Sequence, residues 1–126
     1  MIRKFLITLL LLLPVSAYAW EEQDVDTNGN YPSSTVPNAA QGVSCAPGFK
    51  YSVSWDGTAG SATLTIEYLK SGVDSTTWLP IPNGPTWTTS TAAAERGTNI
   101  TWAAPISVKV DGASGTSVDI TINCIN

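Results

Sequence analysis

Histidine does not occur in this chain, and basic residues are scarce, with six lysines and arginines against ten acids. The first absence removes Ser-His-Asp and Cys-His nucleophile arrangements and the common zinc-ligand clusters. The second removes nucleic acid as a partner, because Lys50, Lys70, Arg96 and Lys109 stand singly and phosphate binding needs cations gathered on one face. An anionic membrane surface is excluded on the same ground. There are only two cysteines, Cys45 and Cys124, too far apart for a Cys-x-x-Cys redox motif. No glycine-rich phosphate loop leads into a helix, and no long helical periodicity occurs after residue 19. An enzyme is therefore not the expectation.

The chain begins with a leader. Arg3 and Lys4 precede an apolar stretch from Phe5 to Val15, which gives way to Ala17-Tyr18-Ala19. A positive start, an apolar middle and a small-residue exit make a secretory signal peptide over residues 1–19. The apolar run is well short of the roughly 20 residues needed to span a bilayer, and Pro14 with the Ala-x-Ala exit favours cleavage. Trp20, not cysteine, comes next, so no lipid anchor is offered. The mature protein is expected to be secreted or periplasmic, with no stable membrane insertion. Loss of Arg3 and Lys4 takes its formal charge from −4 to −6. An oxidising destination makes Cys45–Cys124 the expected disulfide, against the alternatives of two buried thiols or an intermolecular bridge. Closing a loop of roughly 80 residues contributes about 4 kcal/mol on the chain-entropy model.

The mature length suits one domain with a modest core. Residues 20–46 are polar and interrupted by Asn28-Gly29, Tyr31-Pro32, Val36-Pro37 and Ala46-Pro47, which reads as an extended N-terminal arm. From residue 47 the pattern changes to two-residue alternation. Tyr51, Val53 and Trp55 alternate with Ser52 and Ser54. After a turn at Asp56-Gly57 and Gly60, Ala62, Leu64, Ile66 and Tyr68 alternate with Thr63, Thr65 and Glu67. Thr76 to Ile81 is extended but limited by prolines to an edge or a loop-bounded strand, and a short strand is expected around Thr86 to Thr89. Ala92 to Arg96 reads as a loop, since Thr91 and Gly97 leave room for only a turn or two of helix. Strands over Asn99 to Trp102, Ile106 to Val110 and Val118 to Cys124 complete the set. About seven short strands without a helix predict an all-β fold, a single antiparallel β-sandwich of immunoglobulin-like or similar type over residues 47–126.

The run Gly60-Ser-Ala-Thr-Leu-Thr-Ile-Glu-Tyr68, the segment Asp74-Ser-Thr-Thr-Trp78-Leu-Pro-Ile81 and the stretch from Val108 through Gly112-Ala-Ser-Gly-Thr116 to Ile122 resemble small β-sandwich proteins of tailed-phage structural modules. In such proteins a strand ending near Tyr leads through a turn to a Thr-Trp pair, and a Gly-Ala-x-Gly-Thr turn precedes the final strand. The resemblance covers the chain from Gly60 onward and implies a sandwich with a role in assembly. It carries over no binding residue. The leader, the arm and the cysteine pair depart from that pattern, since a virion protein assembled in the cytoplasm needs none of them.

Three groups of residues are candidates for chemistry. A carboxylate pair can hydrolyse a glycoside, which draws attention to Glu67, Asp74, Glu95, Asp111 and Asp119; Glu67 and Asp119 oppose the apolar side of their strands and read as solvated. Asp24, Asp26, Asn28, Gly29 and Asn30 reproduce the opening of a calcium loop, with oxygen side chains at alternate positions and glycine at the sixth. Thr35 in place of the bidentate glutamate, and Pro32 within the loop, exclude an EF-hand, leaving a looser calcium site or a solvated acidic segment. Five tryptophans form the third group. Trp55 and Trp102 share strand faces with apolar neighbours and are expected in the core, with Trp78. Trp87, flanked by Thr86 and Thr88 and with Asn83 in reach, reads either as a packing residue at the sandwich edge or as the centre of a glycan or partner patch, and Trp20 at the head of the arm is the other tryptophan that the sequence leaves open to solvent.

These features support two expectations. The first is an exported, non-enzymatic structural or interaction module whose partners are other protein subunits. The second is a carbohydrate-binding module centred on Trp87, with calcium as its optional ion and a cell-surface glycan as its partner.

Overall fold

The computed structural model describes residues 19–32, 42–70, 77–88 and 92–126. The expected leader up to Tyr18, Gln41 of the expected arm and Asp74 lie outside the described residues. Nine strands are present among the described residues: β1 (Ala19–Val25), β2 (Gly29–Tyr31), β3 (Lys50–Thr58), β4 (Thr63–Leu69), β5 (Trp78–Pro80), β6 (Thr86–Trp87), β7 (Ala94–Ile100), β8 (Ile106–Asp111) and β9 (Ser117–Ile125). They form two antiparallel sheets, one in the order β1-β9-β3-β7 and the other in the order β2-β8-β4-β5, with β6 also on β4. The expected all-β sandwich is the fold.

The core follows from alternation. β3 and β9 pair over their full lengths, from Lys50 opposite Ile125 to Thr58 opposite Ser117. Successive side chains on a strand point to opposite faces, so Tyr51, Val53 and Trp55 of β3 turn inward with Val118, Ile120, Ile122 and Cys124 of β9. Leu64 and Ile66 of β4 and Ile106, Val108 and Val110 of β8 supply the facing layer, all buried. Each such aliphatic side chain contributes about 1.5–3 kcal/mol by leaving water.

The arm expected over residues 20–46 is not separate from the sandwich where it is described. β1 forms the outer edge of the first sheet against β9, and β2 the edge of the second against β8. An edge strand in a sandwich buries few of its residues, and over residues 20–25 of β1 Val25 is buried, Trp20 half-buried and the rest exposed. That is why its sequence reads as polar loop. Val43 adds an isolated bridge to Ile106 and is fully buried.

Two other boundaries shift. β3 runs through Asp56-Gly57 to Thr58, and the reversal falls at Ala59 to Ala62, where the Ala62 N–H donates to the Ala59 carbonyl at 2.9 Å. Gly60 sits there at φ 60°, and a Cβ would collide with the Ser114 carbonyl oxygen. Residues 94–96, read as loop, belong to β7, because Glu95, Arg96 and Gly97 pair with Asp56, Trp55 and Ser54.

The strand directions give the sandwich two different ends. At one end the chain crosses between sheets three times, at residues 26–28, 59–62 and 112–116. The crossings are joined by hydrogen bonds from Ser61 N–H to Ser114 O (3.1 Å), Ser61 Oγ to Gly112 O (2.6 Å), Thr116 Oγ1 to Ala59 O (2.6 Å) and Ala113 N–H to Asn28 Oδ1 (2.8 Å). At the other end lie the segment before β3, which carries Cys45, and the β7–β8 connection at residues 101–105.

Candidate ligand-binding cleft

The described acidic candidates fall on different faces: Glu95 and Asp119 stand in one row of the first sheet, each opposite Asp56, while Glu67 belongs to the second. Glu67, expected to be solvated, is 5% exposed. Its Oε1 accepts a hydrogen bond from Asn30 Nδ2 at 2.9 Å, and the same amide nitrogen donates to Ser107 Oγ, also at 2.9 Å. Glu67 lies on the outer face of the second sheet, opposite Ser107 on β8 and Pro80 on β5. That face is covered. A Cβ on Gly42, beside Ile106 at one edge, would stand 2.6 Å from Cη2 of Trp78, which belongs to β5 at the other. The Trp78 indole therefore reaches across β4 and β8, the strands that carry Glu67 and Ser107. Trp78 is half-buried, outside the central core. Asp111 pairs with Thr63 at the end of β8, and Asp119 Oδ1 accepts the Asp24 N–H at 2.9 Å.

Three of the four residues of the calcium-like segment serve separate partners, and the fourth faces solvent. Asp24 closes onto Asp119 through its backbone at φ 54°, Asp26 is exposed, Asn28 Oδ1 receives the Ala113 N–H, and Asn30 turns onto the sheet toward Glu67. Tyr31 closes the turn by donating its hydroxyl to the Thr27 carbonyl and accepting from Thr27 Oγ1, both at 2.9 Å. Asn28 and Asn30 thus knit the strands, with their side chains directed to different places.

The proposed Trp87 patch also divides. Trp87 lies opposite Leu64 and packs, half-buried, against the core, while Thr86 and Thr88 are exposed beside it. Asn83 stands apart in the turn between β5 and β6 at φ 59°, a conformation that asparagine tolerates better than most residues. Its aromatic neighbour across the cleft is Trp102 rather than Trp87.

Trp102 occupies the centre of the candidate site. It comes after β7, half-buried instead of core, and its ring packs on Tyr68 with centroids 5.0 Å apart and planes at 47°. The two rings, with Phe49, Pro47 and Leu69, line a cleft of about 740 Å³ at the Cys45 end of the sandwich. On the other side Trp102 and Thr101 also line a smaller cleft of about 290 Å³, together with Asn83, Thr98 and Asn99. None of the described residues lining either cleft carries a charge.

The cleft walls are held from beneath. Cys45 is bonded to Cys124 in β9 with a Cα–Cα distance of 5.5 Å, which joins the chain before β3 to the last strand. The buried Tyr51 hydroxyl accepts the Cys45 N–H at 3.0 Å and donates to the Ala104 carbonyl at 2.9 Å. A single phenol at the start of β3 therefore fixes both walls. The Leu69 N–H adds a bond to the Pro105 carbonyl at 2.9 Å.

No family model, curated protein or solved structure matches this chain. Its site has to be read from its own chemistry. The disulfide suits an oxidising compartment, and among the described residues no helix is long and apolar enough to cross a membrane.

The sequence pattern did not single out Trp102, because Ile100 two residues earlier made it look like part of a strand face. The signal that marks it is the run Ala103-Ala104-Pro105 on its C-terminal side. That run does not continue the alternation, and β7 stops at Ile100, so Trp102 sits in the connection and not in the sheet.

Proposed function

We propose that this protein is an exported, non-catalytic binding module that takes a neutral carbohydrate in the cleft lined by Phe49, Tyr68 and Trp102. The observation that carries this reading is an uncharged aromatic cleft on loops fastened to the sandwich by the Cys45–Cys124 bond and by Tyr51. Ligand sites are concave, mostly apolar and pre-formed, with a few polar groups to set orientation. Sugar rings present apolar C–H faces that pack on aromatic rings, while their hydroxyls need amides and hydroxyls nearby. Among its described residues the cleft has no lysine or arginine to give an acidic glycan a counter-charge and no carboxylate pair for hydrolysis.

The test is a glycan array of neutral and acidic oligosaccharides probed with the purified protein, followed by titration of the best neutral binder. Trp102→Ala is expected to weaken that binder at least tenfold, whereas Trp87→Ala leaves it unchanged. Phe49→Ala serves as the second variant should Trp102→Ala not fold. Exclusive binding of acidic glycans, or full affinity in both cleft variants, would falsify the proposal.

A second reading, the structural or assembly module, draws on a different observation. β1 and β7 leave both outer edges of the first sheet without a strand partner among the described residues, and an open edge can accept a strand from a neighbour. The resemblance to phage structural modules favours the same role. Light scattering of the exported protein separates the two readings, since assembly predicts oligomers in the absence of any sugar.

A further inference from the structure

Resting on the carbohydrate reading, we infer that the site takes a chain of at least two neutral sugar units, laid across Trp102 with one unit in each cleft. Thr101 and Trp102 line both depressions, so the indole is a shared wall and not the end of a single pocket. The two sides differ in chemistry. The larger cleft offers Phe49, Tyr68, Leu69 and the Trp102 ring, surfaces for the C–H face of a sugar. The smaller brings Asn83, Thr98, Asn99 and Thr101 around Ile81, Pro82 and Pro85.

These four polar side chains make no hydrogen bond to any described residue. By contrast, Asn28 and Asn30 at the other end are fully engaged in the fold. The free amide of Asn83 and the free hydroxyls of Thr98 and Thr101, in a concave setting whose described residues carry no charge, match the donors and acceptors of sugar hydroxyls; Asn99 borders the cleft but turns its side chain with Ser52 to the outer face of the first sheet. Their placement is independent of the aromatic side. Asn83 comes from the turn closed by Gly84 N–H to Ile81 O at 2.9 Å, and Thr98 from β7, where it pairs with Val53 and faces inward. The larger cleft therefore supplies stacking, the smaller cleft supplies polar orientation, and a ligand one ring long can use only one of them.

The experiment is isothermal titration of the full mature chain with xylo-, cello- and manno-oligosaccharides of increasing length, from the monosaccharide to the hexasaccharide. In the series that binds, affinity is expected to rise at least tenfold between the monosaccharide and the trisaccharide. A double variant, Asn83→Gly with Thr98→Val, should remove that gain, bringing the trisaccharide down toward the affinity of the monosaccharide; glycine keeps the left-handed backbone that residue 83 adopts, and unchanged thermal melting checks the fold. Affinity independent of length, or a double variant that weakens the monosaccharide as much as the trisaccharide, overturns the two-cleft inference and leaves the aromatic cleft standing. Absence of binding at every length in all three series, together with a silent array, overturns both.

Discussion

The two ends of this sandwich are closed by different means. At the end formed by residues 26–28, 59–62 and 112–116, hydrogen bonds run from one crossing to the next, and the polar groups at their contacts have partners inside the protein. At the other, a disulfide and the Tyr51 hydroxyl hold the backbone of the loops from below. Anchoring from beneath leaves the outward side chains free. The first arrangement stabilises connections at the cost of their availability, and the second keeps aromatic rings and amides available on a rigid base, as a binding site requires.

The largest expected difference between the ends comes from the covalent bond. Replacing Cys45 and Cys124 together by alanine is expected to cost about 4 kcal/mol, from the long loop they close, and reductant should destabilise the natural protein by a similar amount in urea unfolding. An unchanged midpoint in both experiments would show that the cleft end does not depend on its staple.

Next come the two glycines that mark the ends. Gly60 and Gly48 both hold positive φ, at 60° and 90°, but a Cβ on Gly60 runs into the Ser114 carbonyl whereas nothing lies within 4 Å of one on Gly48. Gly60→Ala is therefore expected to lose about 3 kcal/mol, combining backbone strain with the clash, and Gly48→Ala about 1 kcal/mol from the backbone alone. Equal losses by thermal melting would mean that the hydrogen-bonded end is not the tighter one.

The smallest effects sharpen the comparison most. Tyr51→Phe leaves the Cys45 N–H and the Ala104 carbonyl without their shared partner, and Thr116→Val leaves the Ala59 carbonyl without its own. Each is expected to cost about 1–2 kcal/mol. Only Tyr51→Phe should also weaken sugar binding, because only it loosens the cleft walls. A loss of affinity in Thr116→Val of the same size would show that binding follows global stability instead of the local anchor.

How much of this was legible tracks the exposure of each element. β3, β4 and β9 were readable because one face of each is buried, which imposes strict alternation on residues such as Leu64 and Ile66 or Ile120 and Ile122. β1 and β7 were not, since edge strands keep most side chains in water and their sequences, AWEEQDV and AERGTNI, carry little of that signal. Glu67 had the position of a solvated residue on its strand, yet it is buried and receives the Asn30 amide from a strand 37 residues away, a contact that no local pattern records.

The amino-acid order was enough for the class of fold, the absence of histidine chemistry and the cysteine pair, because composition and alternation act locally and two cysteines leave a single intramolecular pairing. Which tryptophan faces a cleft depends on how the strands and loops pack. Trp87 and Trp102 each follow a threonine, but one lies opposite Leu64 on a strand while the other comes two residues after β7 and borders two depressions. A concave surface is made by segments distant in the chain, here residues 45–49, 68–69, 81–85 and 98–104, and no local pattern records that they meet.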